Sequence, residues 1–352
     1  MRELYHYTEQ KEDGLWDCVS ETIPDGTESK KLEKKDIFDW CVKHSFENGA
    51  PYMGALSSDK RTYGFYLPRW GRTYDRYFST GMKLEDDLSD IKARFVPEQS
   101  GKNTSGNEFS SGKFYSVASS SRFAVASFTE RKDGKLDYIE TIKINGKEAR
   151  ITDPEFEHDT PVEGIGKNSR SPQLDFFFKT ANGTYFIEVK NHEVMDSHRL
   201  IELSWSYKKT EAFEKLGIIG ITYEREYVDS KGNERHYISL DNSNDGKKHF
   251  LKAKDFGCEL KTSHLDFKQF LCHLMGIWSY AQKHPEEDIY FYYLIYRNKW
   301  YEENYDKKLY EDLEIEVKSV FDVFRRRFPN IHFGLCYNDK YDTLKELKTE
   351  KV

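Results

Sequence analysis

No stretch of this 352-residue chain approaches the roughly 20 consecutive apolar residues that a membrane-spanning helix requires. The opening run Met1-Arg2-Glu3-Leu4-Tyr5-His6 also lacks the apolar segment of a secretory signal, so a soluble, cytoplasmic protein with no membrane partner is expected. Cysteine is sparse. Cys18, Cys41, Cys258, Cys272 and Cys336 are scattered, odd in number and include no CxxC pair, which argues against a disulfide framework or a zinc cluster. There is no basic excess either. The 54 Lys and Arg against 61 Asp and Glu leave a net charge of −7, which weighs against a protein that coats nucleic acid over its whole surface. It does not exclude a local basic groove, because metal-binding carboxylates themselves add negative charge. Finally, no GxxxxGK[ST] is present to cradle the phosphates of a nucleotide-driven motor, and no HExxH to build a zinc protease site.

What the chain does contain is charge (33%) and aromatic side chains (15%), a mixture suited to a folded protein with a large polar surface. Residues 1–110 read as a mixed N-terminal region. In it Lys35 to Phe46 has the apolar spacing of an amphipathic helix. Tyr63 to Phe78 interleaves aromatics with Arg69, Arg72 and Arg76, a composition suited to base stacking and phosphate contact, or to short strands with solvated arginines. Gln99 to Gly112 is rich in Gly, Ser and Asn and reads as a loop or linker.

From 111 to 345 the pattern is that of an α/β domain. Ser116 to Phe128 is predicted to be helical, with Ser119 or Ser120 as its cap. Tyr138–Ile144 and Ala149–Glu157 are predicted as strands, and His198–Leu216 as one long helix. Beyond a turn at Asp229–Asn233 and a polar loop at Asp241–Lys248, a helix is expected over Asp266–Lys283, closed by Pro285. Ile289–Tyr296 is a continuous apolar-aromatic run, the mark of a strand buried on both faces. A helix over Tyr310–Phe328 and a strand over Ile331–Tyr337 follow. The Arg325-Arg326-Arg327 run suits the negative end of that helix.

The most informative stretch is Pro172-Gln173-Leu174-Asp175-Phe176-Phe177-Phe178, followed after Asn182-Gly183 by Tyr185-Phe186-Ile187-Glu188-Val189-Lys190. Asn-Gly between apolar runs is a strong hairpin signal. A hairpin centred on that dipeptide sets Asp175 opposite Lys190, with Glu188 diagonal on the same face and Leu174, Phe176, Ile187 and Val189 on the other. Two carboxylates offer hard oxygen ligands to Mg²⁺, the Val189 carbonyl adds a third, and Lys190 orients water and stabilises developing negative charge. Gln173, two residues before Asp175, reaches the same face. This is the chemistry of phosphodiester hydrolysis. The bland alternative is an exposed strand face of alternating charges.

Those residues resemble the signature of the PD-(D/E)XK nuclease superfamily, in its restriction-endonuclease-like branch. The resemblance covers Pro172–Asp175 and Ile187–Lys190, the helix starting at Ser119-Ser120, Glu155–His158 on the preceding strand, and Phe267–Leu274 with Gln269 on the helix after the site. The literal Pro-Asp pair is absent, since Leu174 precedes Asp175. What the resemblance implies is an αβββαβ core with a mixed central sheet flanked by helices, and a long insertion at about 194–262. It leaves two candidates for the helix after the hairpin, His198–Leu216 and the Gln269 helix. It also implies a Mg²⁺-dependent endonuclease, with Mn²⁺ able to substitute, acting on double-stranded DNA in restriction or DNA defence, with a homodimer among the arrangements it allows. Glu157 would be the additional metal ligand, with Glu155 and Glu163 as competitors. His192, Glu193, Gln269 and His273 are open between site roles and capping or packing. A repair nuclease acting on structured DNA and a non-catalytic DNA-binding protein are the rival readings.

Overall fold

The structure is a computed structural model. It describes 2–10, 16–23, 53–56 and 63–66, then 120–348 apart from 134, 167–170, 196–200, 219–222, 229–231, 233, 241–248, 253–258, 298–301, 303–306 and 340–341. The helix expected at Lys35–Phe46, the arginines of the aromatic run, the Gly-Ser-Asn stretch and the polar loop at Asp241–Lys248 lie outside the described residues. Two compact units emerge, Met1–Ile139 with Lys340–Leu344, and Glu140–Asp339 with Lys345–Val352. The helix Ser120–Phe128 falls in the first of them.

In the first unit β1 (Arg2–Gln10) pairs with β2 (Trp16–Ile23) and β3 (Met53–Leu56) with β4 (Tyr63–Tyr66), all antiparallel. Helix α1 (Ser120–Phe128) leads directly into a hairpin of β5 (Thr129–Lys132) and β6 (Lys135–Tyr138).

The second unit is mixed α/β. A small hairpin comes first, β7 (Thr141–Ile144) and β8 (Lys147–Arg150), turned by Asn145 and Gly146 at φ 51° and 79°. Left-handed backbone at both central residues is the two-residue turn that Asn-Gly favours. Then come β9 (Thr152–Asp159), β10 (Gln173–Thr180) and β11 (Gly183–Lys190), consecutive and antiparallel. After them lie β12 (Glu202–Ser204), the short helices α2 (Trp205–Lys208) and α3 (Glu211–Leu216), and the hairpins of β13 (Tyr223–Val228) with β14 (Glu234–Ser239) and of β15 (His249–Lys252) with β16 (Glu259–Thr262). Helix α4 (Phe267–Lys283), β17 (Ile289–Tyr296), α5 (Leu309–Arg327), β18 (Ile331–Asn338) and β19 (Glu346–Leu347) complete it.

The main sheet has the order β18-β17-β11-β10-β9, parallel across its first three strands and antiparallel across the rest. One face packs on α4 and α5 through Phe186, Phe291, Phe333, Phe270, Phe321 and Phe324. Asp266 starts α4 by accepting the Gln269 N–H at 3.0 Å, as the cap position requires. No described helix is long and apolar enough to cross a membrane.

Three expectations need correction. The predicted helix over His198–Leu216 is instead β12, α2 and α3, because β12 pairs with β14 and Thr210 caps a new helix by accepting the Phe213 N–H at 3.1 Å. Of the two candidate helices, the one bearing Gln269 is a single continuous helix, α4. The hairpin turn is Ala181-Asn182, and Gly183 already pairs with Thr180. Gly183 has φ 144°, and a Cβ there would lie 2.4 Å from the Asp288 carbonyl at the entrance to β17, so only glycine fits. The register consequently shifts by two, and Asp175 comes opposite Glu188 and not Lys190. An even shift preserves which face each residue occupies, so the three charged groups still meet.

Candidate active site

The β10–β11 ladder ends at Phe176 and Ile187. One residue further on, the Asp175 carboxylate takes over from the backbone, its Oδ2 accepting the Val189 N–H at 2.7 Å. This departure from the ladder also explains Leu174, which joins the α4-side cluster instead of the opposite face with Phe176, Ile187 and Val189. Glu188 and Lys190 project from the last turns of pleat in β11. On that strand Phe186, Glu188 and Lys190 alternate with Ile187 and Val189, so burying the Phe186 face buries the two charges with it.

Glu188 is 1% exposed and Lys190 8%, and the Lys190 Nζ donates to Glu188 Oε1 at 2.5 Å. The second carboxylate oxygen, Oε2, lies 3.2 Å from His273 Nε2 on α4 and has no aligned hydrogen bond among the described residues. Tyr293, the β17 residue paired with Glu188, brings a buried hydroxyl that also lacks a partner among the described residues. A small cavity beside Lys190 is lined by Glu193, His264, Asp266 and Tyr293.

Burial and the neighbouring Glu188 push the Asp175 carboxyl well above the usual carboxylate range, against the opposing pull of Lys190 and the Val189 N–H. Burial likewise raises Glu188 to about 6, although Lys190 pulls it down. Burial also works against the Lys190 ammonium, but Glu188, then Glu193 and Asp175, more than compensate and the lysine is held protonated. His273 is pushed down to about 3 by burial and by Lys190, so its ring is neutral. Two reluctant carboxylates beside a firmly held ammonium describe a site short of positive charge.

The other sequence candidates separate by position. Glu157 lies between the pairs Phe156–Phe176 and His158–Leu174, hence across from Asp175, and has a left-handed backbone with φ 52°. Glu155 is paired instead to His158 at 2.6 Å, and Glu163 stands on an exposed surface 3.5 Å from Lys283. Gln173 is half-buried and pairs with Asp159 across β9 and β10. Glu193 caps its own turn, its Oε2 accepting the Asn191 N–H at 2.8 Å, and adds negative charge to the site. The His192 side chain lies outside the described residues. Arg325 pairs with Asp322 at 3.2 Å, and Arg327 lies over Gly217, the residue that ends α3.

His273 is one of the residues whose role the sequence left open. The available signal was a histidine on the apolar stripe of α4. Tyr293 carried no signal, being one of several tyrosines in an aromatic strand. A geometric grouping of His284, Glu286 and Glu287 sits at the far end of α4, but both Glu287 oxygens are already occupied. Oε1 meets Lys179 at 3.0 Å and His284 at 3.3 Å, while Oε2 accepts from Thr184 at 2.5 Å and Tyr280 at 3.0 Å. That grouping is a structural tie and does not resemble an open cation site. Comparison of the chain with family models, with curated proteins and with solved structures finds no match.

Proposed function

We propose that the chain is a Mg²⁺-dependent deoxyribonuclease of the PD-(D/E)XK type, an endonuclease that hydrolyses phosphodiester bonds of double-stranded DNA in a restriction or DNA-defence setting. The observation that carries this reading is the meeting of Asp175, Glu188 and Lys190 at the ends of two neighbouring strands, with Glu188 Oε2 buried and without an aligned partner among the described residues. The sheet supports it. Strands β9, β10 and β11 are consecutive and antiparallel, and β17, which follows α4, lies parallel to β11, an arrangement compatible with such a core.

The donor set fits a hard divalent cation. Asp175 and Glu188 would hold it, with the Val189 carbonyl and Glu157 as further oxygen donors, and Mn²⁺ would substitute. When bound, the cation supplies charge neutralisation on the phosphoryl oxygens and acidifies a water. The protein's own groups do the rest. Lys190, kept protonated, places a fixed positive charge where negative charge develops on the phosphate, and it orients the attacking water. Asp175, tied to the Val189 N–H, keeps the two strand ends in fixed relation, which is the positioning that the reaction demands.

Purified protein incubated with plasmid and Mg²⁺ should nick or linearise it. Asp175→Ala and Lys190→Ala should each lower the rate by at least about 100-fold, the scale expected for removal of one charge-stabilising group. Cleavage unchanged in both variants would sink the assignment.

A further inference from the structure

We propose that His273 is a positioning residue for the Glu188 carboxylate, donating from Nε2 to Oε2 and so fixing the plane in which Glu188 presents its oxygens. The inference rests on the metal-nuclease reading above and deepens it at one residue. Glu188 Oε1 is engaged by Lys190 at 2.5 Å, so only Oε2 is left to orient the group independently of the lysine. His273 Nε2 lies within reach of it, at 3.2 Å. Both residues are at most 2% exposed, and Oε2, Nε2 and Nδ1 have no aligned hydrogen bond among the described residues.

Water cannot readily satisfy atoms so placed, and leaving a buried carboxylate oxygen and a ring N–H both unmade is costly. A small rotation of the imidazole closes the bond, in keeping with the loose alignment that catalytic hydrogen bonds show before ligand arrives. The location argues the same way. His273 stands on the apolar stripe of α4 among Phe270, Leu274 and Ile277, where packing alone is served by leucine. Asp266 caps the same helix, and the Glu316 carboxylate on α5 accepts the Ser263 and His264 N–H groups at 2.7 and 2.9 Å. The start of α4, which sets where His273 falls, is thus tied down from two sides.

Groups that hold a metal-ligating carboxylate in place typically change metal affinity by about 10–100-fold when removed. The test measures Mn²⁺ binding by electron paramagnetic resonance in the full chain for wild type, His273→Leu and His273→Gln, with thermal melting of each. His273→Leu should bind Mn²⁺ about 10–100-fold more weakly, and His273→Gln, whose amide N–H replaces Nε2–H, should recover most of the loss. Equal affinity in all three overturns the proposal. So does a glutamine variant as weak as the leucine one.

Should a variant fail to fold, or should wild type bind no Mn²⁺, ¹⁵N NMR of the wild-type imidazole decides. A proton on Nε2 supports the proposal, and a proton on Nδ1 alone overturns it. Wild-type protein that binds Mn²⁺ but leaves DNA uncut would end the nuclease reading, while the affinities of the two variants would still decide the role of His273.

Discussion

Strand β11 has a carboxylate cluster near each end, and the two are opposites. At its start Glu287 accepts from Thr184 and Tyr280 on one oxygen and meets Lys179 and His284 on the other, and against the effect of burial Thr184, Lys179 and Tyr280 hold its carboxyl below the ordinary value. At its finish Glu188 is more deeply buried, has among the described residues only Lys190 firmly bound, with Oε2 unaligned, and is raised to about 6. A carboxylate surrounded by donors is finished, and serves to tie α4, β10 and β11 together. A carboxylate left short of donors is costly for folding alone, and that cost is offset when a cation binds. The contrast teaches that depth of burial is a poorer guide to function than the state of the hydrogen-bond account.

The comparison breaks first at Glu287. Glu287→Ala strips four partners of their acceptor at once and should lower stability by about 2–4 kcal/mol in chemical denaturation, without altering metal affinity. A loss of Mn²⁺ binding in that variant would mean that the structural cluster had been misjudged.

Titration sharpens the contrast next. Glu188 is raised in the folded protein, so its contribution to metal-free stability is fully present below the ordinary glutamate value near 4.5 and is lost as pH rises through about 6. Glu287 runs the other way, because a lowered carboxyl contributes above its ordinary value and loses that contribution as pH falls. His273, pushed down to about 3, also loses its contribution on acidification, so Glu188 is best isolated by difference. Wild type should therefore lose on the order of 1–2 kcal/mol relative to Glu188→Gln between about pH 4.5 and about pH 7. Mg²⁺ should raise the wild-type melting temperature more at about pH 8 than at about pH 5, since the cation competes with protons for these oxygens. Parallel pH profiles for the two proteins would remove Glu188 from this account. The smallest effect belongs to Lys179, whose bridge to Glu287 is partly exposed; Lys179→Met should cost less than about 1 kcal/mol on thermal melting.

Much of the sheet and its helices was legible. Ile289–Tyr296 was read as a doubly buried strand and lies between β11 and β18, because an unbroken apolar run has no face to offer water. Helices α4 and α5 begin and end within a residue of expectation, since a cap or closing proline marks a boundary in the chain itself. The segment 198–216 misled because helical spacing cannot foresee a partner strand: β14 draws Glu202–Ser204 into a ladder. The two Asn-Gly pairs make the same point. Asn145-Gly146 forms the turn its chemistry favours, whereas Asn182-Gly183 slides by one residue to let Gly183 pass close to Asp288.

By itself the sequence determined that Asp175, Glu188 and Lys190 sit on adjacent strands and share a face, because that follows from the two-residue period of a strand and survives an even shift of register. Only the tertiary structure decided that Asp175 opposes Glu188, that His273 arrives from a distant helix against Oε2, and that this oxygen is buried without an aligned partner. Those facts depend on contacts between segments far apart in the chain, and no local preference of the residues encodes where such segments meet.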